Sequence, residues 1–136
     1  MTPEQVTGDD YGCERCWPHD AAAAWEARQG LAQMSELVHE SHYRVQILSC
    51  PSCGQNFLSV FTEWVDWAGG EDPIYWTVVP VDTGEVAALA DPEGALGEAE
   101  LEAMARGRRC LLVDYPTGVS KPTAAWGVGL RVGPHD

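Results

Sequence analysis

Between Arg44 and Arg106 this sequence has no lysine and no arginine. The same stretch holds eleven acids: Glu63, Asp66, Glu71, Asp72, Asp82, Glu85, Asp91, Glu93, Glu98, Glu100 and Glu102. Net charge over the 136 residues is −13. Phosphate backbones are bound by Lys and Arg through counterion release, so a surface of this kind repels nucleic acid. It attracts a basic partner and speeds its approach. No run reaches the roughly 18 apolar residues of a membrane span. Met1-Thr-Pro-Glu-Gln5 has neither the basic n-region nor the apolar h-region of a secretory signal. A cytoplasmic protein with no membrane association is expected.

Catalytic signatures are missing too. There is no Gly-x-Ser-x-Gly, no phosphate loop and no Gly-x-Gly-x-x-Gly. Ser49 stands where a zinc deaminase has proline, and there is no His-x-Glu. His39-Glu40-Ser41-His42 is one spacer short of His-Glu-x-x-His. On a helix its imidazoles would lie about 300° apart instead of on one face. A non-enzymatic protein is the expectation.

What is present begins with a globular composition, 45% hydrophobic and 21% charged, in a length that suits one domain. Four of the five cysteines form two pairs, Cys13-Glu-Arg-Cys16 and Cys50-Pro-Ser-Cys53. In a reducing compartment these read as metal ligands, not disulfides. Thiolates three residues apart converge on one ion when the backbone turns tightly, and Gly54 permits such a turn. Four cysteines close a tetrahedral site and leave no open position for catalysis. One structural Zn2+ per chain, held by Cys13, Cys16, Cys50 and Cys53, is therefore expected. His19, three residues after Cys16, is an unneeded substitute ligand. Cys110, in an apolar run, reads as a small buried hydrophobe. The 33 residues between the pairs exceed the roughly 15–20 of a common zinc ribbon, which leaves room for an inserted helix and strand.

Residues 1–12 read as a loose lead-in, 13–67 as the zinc-ribbon part and 74–132 as the remaining strands and an acidic helix. Asp20 is a helix N-cap candidate. Ala21 to Glu40, rich in Ala, Leu, Met, Glu and Gln, predicts a helical stretch that Gly30 divides or bends. Tyr43–Leu48 alternates as a strand and runs into the second knuckle. Asn56–Trp67 continues as a strand with apolar residues on both faces, so the knuckle becomes a hairpin tip. Ile74–Val81 is a third strand, with Pro80 marking an edge. Val86–Leu89 is a short strand or helical turn. Gly97–Arg106 is a short acidic helix, with Arg106, Arg108 and Arg109 suited to its C-terminal dipole. Cys110–Val113 and Trp126–Val132 complete the set. The predicted fold is α+β: an antiparallel sheet of four or five strands, two helices and a zinc-ribbon knuckle made by the four paired cysteines.

One further cluster stands out. Glu63, Trp64, Asp66, Trp67, Glu71, Asp72, Tyr75 and Trp76 surround the turn at 68–73. Aromatic residues dominate interface hot spots, and the acids would steer a basic partner to them. The alternative is that Trp64 and Trp76 fill the core while the acids solvate the turn.

The run Cys50-Pro-Ser-Cys-Gly-Gln55, leading into Phe57-Leu-Ser-Val-Phe-Thr-Glu-Trp-Val-Asp-Trp67, resembles small bacterial zinc-ribbon proteins of unknown function. In outline it is similar to double-CxxCG proteins that act as immunity partners of secreted toxins. The first knuckle departs from that pattern, with Trp17 in place of glycine. The resemblance covers about half the chain and implies a non-enzymatic binder. The leading expectation is thus an acidic protein-binding module with structural zinc, an immunity or antitoxin-like partner of a basic protein. A nucleic-acid-associated zinc ribbon is the alternative, and it needs a patch built from Arg106, Arg108, Arg109, Lys121 and Arg131. A small hydrolase using acids of the 63–72 hairpin is the third reading.

Overall fold

The structure, a computed structural model, describes residues 11–40, 42–63, 74–89, 98–115 and 122–130. After the first cysteine pair comes α1 (Ala21–Arg28), then β1 (Ala32–Glu40), β2 (Tyr43–Ser49), β3 (Asn56–Glu63) and β4 (Ile74–Val81). Two short helices, α2 (Thr83–Leu89) and α3 (Glu98–Ala105), lead to β5 (Arg109–Tyr115) and β6 (Thr123–Val128). The strands form one six-stranded sheet whose spatial order follows chain order, each pair antiparallel. The α+β class and antiparallel sheet agree with the sequence reading; among the described residues the strand count is higher and there are three short helices instead of two.

The extra strand comes from the stretch predicted to be helical. Asp20 does cap α1, its carboxylate accepting from Ala23 N at 2.9 Å. The helix stops after two turns. Gln29, Gly30 and Leu31 each donate back three residues, to Glu26, Ala27 and Arg28, the tightened last turn that ends many helices. Residues 32–40 are good helix formers, yet they extend. A continuing helix would leave one side of β2 without backbone partners. The strand pairs it instead from Ala32↔Ser49 to Glu40↔Tyr43, with two register shifts. Leu37 and Val38 then pack on the cluster holding Tyr43, Val45 and Ile47. Propensity loses here to tertiary pairing.

The sheet is apolar on both faces because alternate residues point opposite ways. One face carries Val45, Ile47, Leu58, Val60, Val79, Val81 and Cys110, packed with Leu101 and Ala105 of α3. The other carries Leu48, Phe57, Val78, Leu111 and Val113, packed with Cys16, Trp17 and Ala24. The two-sided apolar pattern read from Phe57 to Phe61 has this cause. Cys110 is fully buried, as expected, and burial pushes its thiol up to about 11.

Three local expectations need correction. Pro80 does not lie on an edge strand, since β4 is flanked by β3 and β5. It does lie past the last β4–β5 pair, Val78↔Leu111. Its carbonyl accepts from Arg108 Nη1 at 2.7 Å, so its backbone faces the side where no ladder N–H is required. The final strand is Thr123–Val128, shifted toward the N-terminus of the predicted 126–132. Arg108 and Arg109 do not serve the end of α3. Arg109 begins β5, and Arg108 forms a two-pronged ion pair with Glu85. Among the described residues no helix is long and apolar enough to cross a membrane.

Glu85 has two duties. It exchanges hydrogen bonds with Asp82 across the start of α2, Glu85 N to Asp82 Oδ1 at 2.8 Å and Asp82 N to Glu85 Oε1 at 2.9 Å. This is a capping box. It also ties α2 to Arg108. The Arg108 hydrogen bond, opposed by desolvation, holds the Glu85 carboxyl below its ordinary value of 4.5. A depressed folded-state value means that this stabilisation is complete above pH 4.5 and fades as pH falls below it. Glu85→Gln is expected to cost about 1–2 kcal/mol at neutral pH. Urea denaturation of both proteins will show that gap narrowing as pH falls below 4.5.

Candidate metal centre

The two cysteine pairs meet at the tip of the β2–β3 hairpin. The second pair forms the connection 50–55, closed by Cys50 N to Gln55 O and Gly54 N to Cys50 O, both 2.9 Å. Gly54 takes a φ of 81°, the left-handed turn read from its position. The first pair closes with the equivalent bond, Trp17 N to Cys13 O at 2.8 Å. No described non-glycine residue has positive φ, so the first knuckle turns without the left-handed residue that glycine would supply. In its place Trp17 plugs the sheet. Only 7% exposed, its ring lies 5.0 Å from Phe57 and 4.9 Å from Trp126, measured between centroids.

Sulfur positions follow from these turns. Cys13 Sγ lies 3.8 Å from Cys16 Sγ and 3.9 Å from Cys50 Sγ, and Cys16 Sγ lies 3.7 Å from Cys53 Sγ. All four sulfurs are within 4.8 Å of one another. A regular tetrahedron of thiolates about 2.3 Å from one ion has edges of about 3.8 Å. Disulfide sulfurs would be about 2.05 Å apart, and all five cysteines are free. The cluster could hold a metal ion, and neither His19 nor the 39–42 histidines join it. His39 instead pairs with Glu36 at 2.6 Å, and His42 with Glu63 at 3.2 Å.

Cys16 and Cys50 are buried, Cys13 is half-buried and Cys53 is exposed, so the site is walled by the core and reached from the Cys53 side. Backbone N–H groups support the sulfurs: Cys13 N donates to Cys16 Sγ and Ser52 N to Cys50 Sγ, both at 3.3 Å. Burial drives the Cys16 thiol upward and leads the upward shift at Cys53. Burial opposes ionisation of Cys50 as well. There the hydrogen bonds from the backbone of Cys53 and Ser52 and from the neighbouring thiols prevail, and its value falls to about 7.

Two supporting residues escaped the sequence reading. Gln55 donates from Nε2 to Val81 O at 2.8 Å and accepts at Oε1 from Gly12 N at 3.1 Å, joining the first knuckle to the end of β4. Gly12 has a φ of 73°, and a Cβ there would come within 2.8 Å of Cys16 Sγ and 2.9 Å of Trp17 Cβ. The only sequence signal was a glycine directly before the first cysteine.

Of the aromatic and acidic cluster, Trp64, Asp66, Trp67, Glu71 and Asp72 lie outside the described residues. Glu63 ends β3 and engages His42. Tyr75 and Trp76 are half-buried on β4, and the Trp76 ring lies 4.8 Å from Trp25 and 5.4 Å from Phe61.

Fold and sulfur geometry together define an α+β protein with a paired-knuckle cluster of four cysteines that could hold a metal ion. Compared with protein-family models, with characterised proteins and with solved structures, the chain matches none.

Two outcomes follow from this geometry. Metal binding must displace thiol protons, and Cys16 and Cys53 hold theirs above the ordinary thiol value, so affinity will fall as pH drops toward neutrality and more steeply below about 7, where Cys50 is protonated too, in competition titrations with a chromophoric chelator. Gly12→Ala will destabilise the protein by about 1–3 kcal/mol through its backbone conformation alone and will speed metal loss to the same chelator.

Proposed function

We propose that the chain is a non-enzymatic, acidic protein-binding module whose knuckles hold one structural Zn2+, and that its partner is a basic protein. The observation that carries the metal half is the closed set of four cysteine sulfurs at tetrahedral spacing. A soft, four-sulfur tetrahedron suits zinc, and with every position filled by protein the ion stabilises structure rather than performing chemistry.

Charge carries the partner half. The thiolates and zinc would add about −2 to a chain already at −13. Asp82 and Glu102 are exposed in a segment with no basic residue to offset them. Two of the five basic residues that a nucleic-acid surface would require are engaged elsewhere, Arg108 with Glu85 and Arg109 over the Trp126 ring at 4.0 Å, and Lys121 and Arg131 lie outside the described residues. An immunity or antitoxin-like role is the concrete form of this reading. The partner surface is assigned to Glu63, Trp64, Asp66, Trp67, Glu71, Asp72, Tyr75 and Trp76.

Elemental analysis of protein purified without chelator will give about one zinc per chain, and Cys53→Ser will abolish tight retention. Protein that is folded yet metal-free would remove the metal half. For the partner half, native mass measurement of the chain isolated from its source cell will show a complex with a basic protein whose association slows as salt rises. Tight, salt-sensitive binding of DNA or RNA with no protein complex would favour the nucleic-acid reading instead.

A further inference from the structure

Helix α1 is eight residues long and does not cover the whole sheet face on which it packs. Near its C-terminal end a cleft of about 340 Å³ is lined by Arg28, Arg44, Gln46, Phe61, Glu63 and Trp76. That volume lies at the lower end for small-molecule sites. Its residues come from α1, β2, β3 and β4, so rigid elements hold its walls. It shares no residue with the cysteine cluster.

Its cations are unusual for this chain. Arg28 is half-buried and its Nε and Nη2 donate to the Ser59 hydroxyl at 3.3 and 2.9 Å. Ser59 is 1% exposed, so this contact fixes the guanidinium at the floor of the sheet. Its other neighbour is the Trp25 ring, 5.4 Å away. Burial pulls the Arg28 pKa down, as it does for a cation removed from water without an opposing charge. Among the described residues neither Arg28 nor Arg44 forms an ion pair. The nearby carboxylates, Glu36 and Glu63, are engaged by His39 and His42. In a chain of net charge −13, two arginines line one cleft with a single carboxylate, Glu63, which His42 engages, while the Glu36 carboxyl is lowered by its His39 hydrogen bond and, to a smaller degree, by the charge of Arg44. Phe61 and Trp76, 5.4 Å apart between centroids, supply an aromatic wall beside them.

We propose that this cleft binds a small carboxylate with a flat apolar body, the carboxylate on Arg28 and Arg44 and the body against Phe61 and Trp76. Guanidinium groups match carboxylates with paired, charge-assisted hydrogen bonds. Arg28 retains Nη1 for this after serving Ser59, and Arg44 is exposed with its donors available. The aromatic wall selects ligands with a ring over bare anions. The cleft shares Glu63 and Trp76 with the surface assigned to the partner but does not rest on that reading, because its test uses a small ligand alone.

Benzoate is the probe, added to the chain as purified and followed by amide chemical shifts. Saturable shifts are expected at β2, β3 and β4 residues around the cleft, with a dissociation constant no weaker than about 1 mM. Benzamide keeps the ring and lacks the charge; inorganic phosphate has the charge and lacks the ring. Each will bind at least about tenfold more weakly. Arg44→Ala removes an exposed side chain, so the fold survives, and binding should weaken by about tenfold or more. Arg28→Lys keeps the charge but loses the fork and should weaken binding as well. No saturable shift up to about 10 mM benzoate overturns the proposal. So does equal binding of benzamide or phosphate, or undiminished binding by Arg44→Ala.

Discussion

Four sulfurs brought to within 4.8 Å of one another fix the relation between two distant parts of this chain. An ion bound there would add to the contacts that already hold the segment around Cys13: Gly12 to Gln55, Arg15 to Ser52 and His19 to Trp126. Once that segment is clamped to the β2–β3 tip, Trp17 falls onto Phe57 and Trp126, and α1 follows across the same face. An eight-residue helix is too short to be stable alone and needs its packing surface supplied. The sheet supplies it, chiefly through β5 and β6. Gly12 and Gln55 are consequences of the same constraint. One clears room beside Cys16, and the other joins the knuckle backbone to β4.

How much of this was legible depended on whether the cause was local. The hairpin with its knuckle could be read, because cysteine spacing, Gly54 and period-two alternation all act within a few residues. The Asp20 cap is local in the same way. Strand β1 was not legible. Its residues Ala32–Glu40 favour a helix, and only the vacant side of β2, set by a pairing no single segment encodes, makes them extend. The Glu85–Arg108 pair and the Arg28–Ser59 contact span 23 and 31 residues, beyond the reach of any pattern rule. At the metal centre the four sulfurs could be named in advance, whereas their supports could not. A lone glycine or glutamine carries no mark of what it will touch.

Acidity at the surface and aromatic richness inside turn out to be linked. Three of the eight basic residues lie over aromatic rings: Arg28 over Trp25, Arg108 over Tyr11 and Arg109 over Trp126. Cations so placed are drawn toward ring faces and the sheet, where they neutralise less of the exposed acid. Part of its few positive charges is spent on packing.

The order of the sheet has a consequence in time. Each strand pairs with the one just made, so a chain leaving the ribosome can add strands one after another without waiting for distant sequence. The knuckles become complete once Gly54 has emerged, while four of the six strands are still unmade. One closure has to wait. Trp126 Nε1 donates to His19 O at 2.7 Å across 107 residues, and the same ring seals Trp17. The first-made segment is thus secured by the last-made strand. Until that strand arrives, a nascent chain exposes the aromatic flank of its own anchor, and that interval is when it is most open to chaperones and to mispairing.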